Sequence, residues 1–199
     1  MISRNAALPI IVALFVGTVY YFTTPDRPYS YDYTYRIARA LLSGQVGLEQ
    51  PPPPWLNEMV PLNGQFYSVF PLGSVISMIP LVLLDVVGVL SDLPEPFVAA
   101  LLAAGITWCS CRIAQAYCTT HTQCVVYSLL LALGTWTWPN LGYGGSWQIA
   151  LGLAMLGQLG AMYLTIIQPR VFLAGCCFAL AFGNRTEVVL LTPIFLYLS

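Results

Sequence analysis

The sequence predicts an all-α fold: a polytopic integral membrane protein with one external loop that carries interfacial helices. Three observations predict it. Of 199 residues, 58% are hydrophobic and only 8% charged, with a mean hydropathy of +0.75, whereas a soluble domain carries roughly 25% charged residues. No Asp, Glu, Lys or Arg occurs from Ile113 to Pro169. One helix over that stretch would run about 85 Å, against a bilayer core of about 30 Å, so it must hold at least two spans and a turn. Finally, the apolar run Ala6–Phe22 ends in Tyr20-Tyr21-Phe22 and not in a small-residue cleavage site. It reads as a retained signal anchor with its N-terminus inside.

The polar stretch from Thr23 to about Gln65 follows that first span and holds Asp26, Arg27, Asp32, Arg36, Arg39, Glu49 and Glu58, seven of the fifteen charged residues in the chain. Within it Tyr31–Ser43 reads as a helix. Tyr33, Ile37, Ala40 and Leu41 share one face, and Asp32, Arg36, Arg39 and Ser43 the other. Such a face suits a membrane interface. Gly44 is the expected stop, and Pro51–Pro54 an extended strut. The segment 66–90 is apolar enough to span, but Pro71, Gly73, Pro80 and Asp85 interrupt it. Placing it at the interface, or as a dip that returns, puts Arg4, Arg112 and Arg170 all inside, and the positive-inside rule favours that choice.

The external loop then covers 24–94 with juxtamembrane helices, inside a single transmembrane domain over 1–199. Spans are expected at 6–23, 95–117, 123–139, 148–168 and 171–186, with a sixth begun at 188. Since the apolar segment Val188–Ser199 stops short of a bilayer crossing, the chain reads as a fragment or its last helix as only partly present. Three polar segments, Thr23–Gln65, Pro139–Trp147 and Asn184–Glu187, converge on one membrane surface, which is the architecture of a site.

The seven cations, all Arg, against eight carboxylates give a net charge of −1, so nothing points to a nucleic-acid partner. Cys109, Cys111, Cys118 and Cys124 flank a turn that carries the only histidine, His121. Cys-x-Cys with a lone His lacks the paired spacing of a zinc site, and reduced thiols packed among helices are the expectation.

Asp32, at the start of an interfacial helix, is stabilised as the anion by the helix dipole. It is placed to accept a proton from an acceptor hydroxyl or to help hold a divalent cation; a plain ion pair with Arg36 or a first-turn capping role is the competing account. Arg185 is the only cation after Arg170 and follows an apolar run. Its guanidinium matches a phosphate bidentately, against the alternative of anchoring a helix through Glu187 or a headgroup. The glycines and aromatics of 139–147 suit either a sugar platform or an interfacial belt, and the belt is the weightier of the two.

The run Asp32-Tyr33, Ile37-Ala38-Arg39 and Leu42-Ser43-Gly44, followed by Pro61-Leu62-Asn63-Gly64-Gln65-Phe66-Tyr67-Ser68-Val69-Phe70-Pro71-Leu72-Gly73, resembles the first external loop of the C-type glycosyltransferases. Bacterial protein-mannosyltransferase-like and lipid A aminoarabinose-transferase-like members are the nearest in appearance. Gly134–Pro139 and Ala181–Thr186 follow in the order and spacing of two later segments. The resemblance covers nearly the whole chain, as the N-terminal part of a longer transferase that would be inactive by itself. It implies a multi-pass protein of the bacterial plasma membrane, a polyprenyl-phosphate-linked sugar as donor, an acceptor of unspecified kind, and chemistry at the external face. Asp32 matches the acidic catalytic position, and Arg185 falls where relatives place a cation near the donor phosphate. Tyr31 and Glu187, beside these two, complete the expected substrate-binding set. Many relatives carry a second carboxylate in the loop matching 139–147; this chain has none there, and a divalent cation is the only cofactor that the resemblance allows. The rival from another class is a transporter or scaffold subunit. A transporter would place ionisable residues in broken helices near the midplane, and the run from Ile113 to Pro169 offers none.

Overall fold

The computed structural model describes residues 5–25, 32–53, 56–91 and 93–198, and these are mostly helical. Helix α1 (Ala7–Thr23) is followed by α2 (Tyr33–Leu42), a hairpin of β1 (Met59–Leu62) and β2 (Gln65–Ser68), and two short helices, α3 (Leu72–Ile76) and α4 (Ile79–Val86). Then come α5 (Glu95–Tyr117), α6 (His121–Leu133), α7 (Thr137–Tyr143), α8 (Ser146–Met162), α9 (Val171–Asn184) and α10 (Thr192–Leu198). A π-turn at Tyr163–Ile167 prolongs α8, and a 3-10 turn at Thr186–Leu191 leads into α10.

Two of these elements are long and apolar enough to cross a membrane: Glu95–Tyr117, of 23 residues, and Ser146–Ile167, of 22. The first has the bounds expected of it. The other expected spans are shorter as helices, with 17 residues in α1, 13 in α6 and 14 in α9. The shortening of α6 has a local cause. A capping box between Thr120 and Gln123 starts the helix, but Gly134 ends it where a span to 139 was expected. Thr135 then turns its hydroxyl back to the Leu131 carbonyl at 2.7 Å and meets Thr137 Oγ1 at 2.9 Å. Pro139 is accommodated in the first turn of α7, where its missing N–H costs nothing. The expected loop 139–147 is therefore mostly helix, closed by Gly144 in the left-handed region at φ 76°.

The helices align because their contact faces carry small residues. Helix α1 packs along α5, and α8 along α9. A Cβ added at Gly157 of α8 would come within 2.6 Å of the Cys177 carbonyl oxygen of α9. Close approach of this kind is how helices associate where burial of apolar surface gives little driving force. The buried core runs from Val16 and Tyr20 through Ala103, Ile106 and Ile149 into Tyr33, Tyr35, Phe70, Val75 and Val82. The segments before α5 are thus packed onto the helices as part of one core.

The stretch 66–90 forms no helix of span length. It holds β2 and the short helices α3 and α4, and Asp85 of α4 meets Arg39 of α2 at 3.1 Å. The helix α2 begins two residues later than expected, at Tyr33, and Gly44 lies just past its end at φ 78°. The hairpin is an element that the all-α expectation lacked. Asn63 and Gly64, both at positive φ (51° and 79°), make the two-residue turn that matches strand twist.

The alternating helices leave two distinct ends. One gathers Thr23, Glu95, Ser146 and Asn184 beneath α2, the hairpin, α3 and α4; Trp138 Nε1 donates to Thr23 Oγ1 there at 3.4 Å. At the other, Gln115 Nε2 donates to the Asn5 carbonyl at 3.0 Å, and Arg112 donates to the Tyr163 hydroxyl at 3.2 Å.

Candidate functional site

Asp32 sits immediately before α2, where its carbonyl accepts from the amides of Tyr35 and Arg36 at 3.0 and 3.1 Å. Its carboxylate does not cap the helix. It turns to Arg36, with Oδ1 2.8 Å from Nε, and its side chain is 12% exposed against 31% for Arg36. The Arg36 guanidinium also lies 5.2 Å from the centroid of the Tyr33 ring. Burial pushes the Tyr33 hydroxyl above the ordinary phenol range; the Arg36 charge works against this and the Asp32 charge adds to it. At neutral pH Tyr33 is therefore a hydroxyl donor. So the i, i+4 pair weighed as the competing account for Asp32 is present.

Arg185 ends α9 in an extended conformation, its amide still donating to the Ala181 carbonyl at 2.9 Å. Its guanidinium lies 5.4 Å from the centroid of the Trp147 ring. Glu187 is 3.9 Å away and 70% exposed, and so loose a surface pair contributes little. The cation is thus held by an aromatic face and a distant carboxylate, and among the described residues no close ion pair consumes its N–H donors. Beside it, Asn184 is fully buried; its amide donates to the Leu180 carbonyl at 2.9 Å, and its Oδ1 has no hydrogen-bond partner among the described residues.

A cavity of about 750 Å³ opens beside Arg185. Thr135, Asn140, Arg185 and Glu187 give it a polar rim, while Leu151, Met155, Leu190 and Leu191 give it apolar walls. Its volume falls in the range of ligand sites, about 300–1,000 Å³. Asp32 is not among its lining side chains, so the two expected site residues do not share this space. They are joined instead through the first turn of α8: Thr34 donates from its amide to Ser146 Oγ at 3.2 Å, and the next residue, Trp147, carries Arg185. Tyr31 lies outside the described residues.

Sequence reasoning missed Glu58, Asp85 and Glu95. Glu58 accepts from Trp147 Nε1 at 3.2 Å. Glu95 is 2% exposed and lies against Gly144, whose added Cβ would meet Oε2 at 3.0 Å. A carboxylate is therefore present at the 139–147 segment after all, supplied from α5. Among the described residues no three His, Cys, Asp or Glu side chains group as metal ligands, and the six cysteines are free thiols.

Compared with known proteins, the chain matches no family model, no curated protein and no solved structure.

Proposed function

We propose that this chain is a multi-pass protein of the bacterial plasma membrane and that it moves a sugar from a polyprenyl-phosphate donor to an acceptor hydroxyl. The observation that carries this reading is the cavity beside Arg185, where a cation without a close counter-ion meets walls of Leu and Met. A lipid phosphate has that pair of properties: an anionic head, bound best by the guanidinium fork, and an apolar tail. The acceptor oxygen attacks the anomeric carbon, Asp32 takes its proton, and the departing polyprenyl phosphate leaves as an anion against Arg185. A divalent cation beside Asp32 is not required by this scheme.

Membrane embedding is supported by what the helices expose. Ile10, Ile11, Leu14 and Phe15 of α1 are each more than half exposed, as are Phe172, Leu190 and Leu196. Only 44% of the apolar window of either long helix is buried, whereas a core helix of a soluble protein would hide most of its apolar surface. The transporter alternative is less well supported, because the described charges sit at the two ends and not at mid-height. Cysteines introduced at Tyr143 and at Gln168 should react with an impermeant maleimide from opposite sides of sealed vesicles. Labelling from one side only would overturn the embedding.

A further inference from the structure

Between the first turns of α2 and α8 lies a second, smaller cavity of about 240 Å³. Tyr33, Phe70 and Trp147 turn rings to it, and Glu58, Tyr143 and Gln148 bring polar groups. The walls are fixed by contacts between distant segments. The Phe70 and Trp147 rings pack with centroids 5.2 Å apart and planes at 55°, and Glu58 holds the indole through Nε1. Tyr33 and Phe70 are 5% and 7% exposed, so their positions are set by the core.

This cavity is lined by the chain neighbour of one candidate residue and by the ring that carries the other. Tyr33 adjoins Asp32 in the chain, and Trp147 carries Arg185 on its ring. The space is below the about 300–1,000 Å³ of drug-sized sites but far above the roughly 30 Å³ share of one water. It has room for one small ring. Its lining combines two chemistries, aromatic rings and the polar groups of Glu58 and Gln148. A pyranose matches both, with a patch of C–H groups to lie on an aromatic ring and hydroxyls that donate to a carboxylate in strong, charge-assisted bonds.

We propose that this cavity is the sugar subsite, which holds one pyranose against Trp147 with Glu58 as the main acceptor for its hydroxyls. The assignment rests on the transferase reading for how the sugar arrives, since Arg185, the candidate phosphate ligand, lies on the Trp147 ring that lines this cavity. Glu58 is a binding residue here, acting both on the sugar and on the orientation of the indole.

The test uses the purified full chain in detergent and two kinds of probe. Saturation-transfer NMR reads binding of the methyl pyranosides of mannose, glucose, galactose and N-acetylglucosamine; native mass spectrometry reads binding of sugar-free undecaprenyl phosphate. At least one pyranoside should bind the wild type. Glu58→Gln, which keeps the side-chain shape, should weaken it about tenfold, the loss of one hydrogen bond to a charged group, and Trp147→Ala should abolish it. Undecaprenyl phosphate should bind Glu58→Gln as it binds the wild type, which also shows that the variant is folded. Failure of all four pyranosides on the wild type, or equal pyranoside affinity in Glu58→Gln, overturns the subsite. Pyranoside binding with the expected losses, in a wild type that ignores undecaprenyl phosphate, keeps the subsite and overturns the transferase reading.

Discussion

Arg112 and Arg185 stand at opposite ends of the helices, each over an aromatic ring, and their surroundings differ in one respect. Arg112 lies 5.7 Å from the Tyr163 centroid and also donates to the Tyr163 hydroxyl and, at 3.2 Å, to Gln115 Oε1. The network then closes on itself: Tyr163 donates to Gln168 at 2.9 Å, and Gln115 to the Asn5 carbonyl. Arg185 has a similar ring contact at 5.4 Å, but among the described residues only the carboxylate of Glu187, at 3.9 Å, lies beyond it. One cation is consumed by the fold. The other is held in place with its donors available beside a cavity. A polar network that is fully satisfied rigidifies a structure, whereas a positioned charge with capacity to spare is the condition for binding an anion.

The comparison is sharpened first at Asp32, where the largest effect is expected. On the proposed transferase reading, Asp32→Asn in the membrane-inserted protein should reduce transfer by about 10²–10⁴-fold, the range of a general base. Protein level should hold, because Arg36 is 31% exposed and can turn to water. Arg36→Gln is the control. If Asp32 only pairs with Arg36, both variants will lose the same small amount of stability and keep transferring sugar; such an equal pair of results would remove the catalytic role.

The Arg185 series comes next. Removing one preorganised charge from a developing anion costs on the order of 10²–10³-fold, so Arg185→Ala should lower donor-dependent transfer by about 10²-fold in membranes normalised for protein amount. Arg185→Lys should fall between, because an ammonium keeps the charge and loses both the fork and much of the stacking on Trp147. Full rescue by Lys, with the Ala defect confined to protein level, would reduce Arg185 to a helix anchor.

How much of this was legible in the sequence depended on range. Periodicity and caps are local, so α5 and the Gly44 stop could be read directly, whereas the α2 face was read only in part: Tyr33 and Ile37 are buried as expected, but so are Thr34, Tyr35, Ala38 and Asp32. The hairpin was also legible in principle: Asn63-Gly64 between Val60-Pro61-Leu62 and Gln65-Phe66 is a two-residue turn signal, here masked by the surrounding apolar stretch. The partners of the site were not legible. Glu58 and Trp147 are 89 residues apart, and nothing in either segment announces the other. Asp85 shows the same limit. In the sequence it is an anomaly in an apolar run, and its explanation, Arg39 of α2, exists only once α4 has folded back. Nor does the larger cavity take in both Asp32 and Arg185, because spacing along a chain carries no information about which side chain becomes a wall.

The smallest effect on chemistry, and the one that tests the comparison most directly, belongs to Arg112. If its role is structural, removing it should damage the fold and leave the donor alone. Arg112→Ala takes away the donors to Tyr163 and Gln115 and leaves those acceptors partly unsatisfied in a region that is only half exposed. Losses of this kind cost about 1–3 kcal/mol, read as a lower midpoint in thermal unfolding of the detergent-solubilised protein. Arg112→Lys should recover part of that, since an ammonium reaches one acceptor but not the forked pair. In membranes normalised for folded protein, both variants should show the wild-type dependence on donor concentration, because neither Arg112 nor its partners Tyr163 and Gln115 line the cavity beside Arg185. A changed donor KM in Arg112→Lys, at unchanged stability, would mean that the two ends are coupled through α5 and α8, and the division of labour between the two arginines would have to be given up.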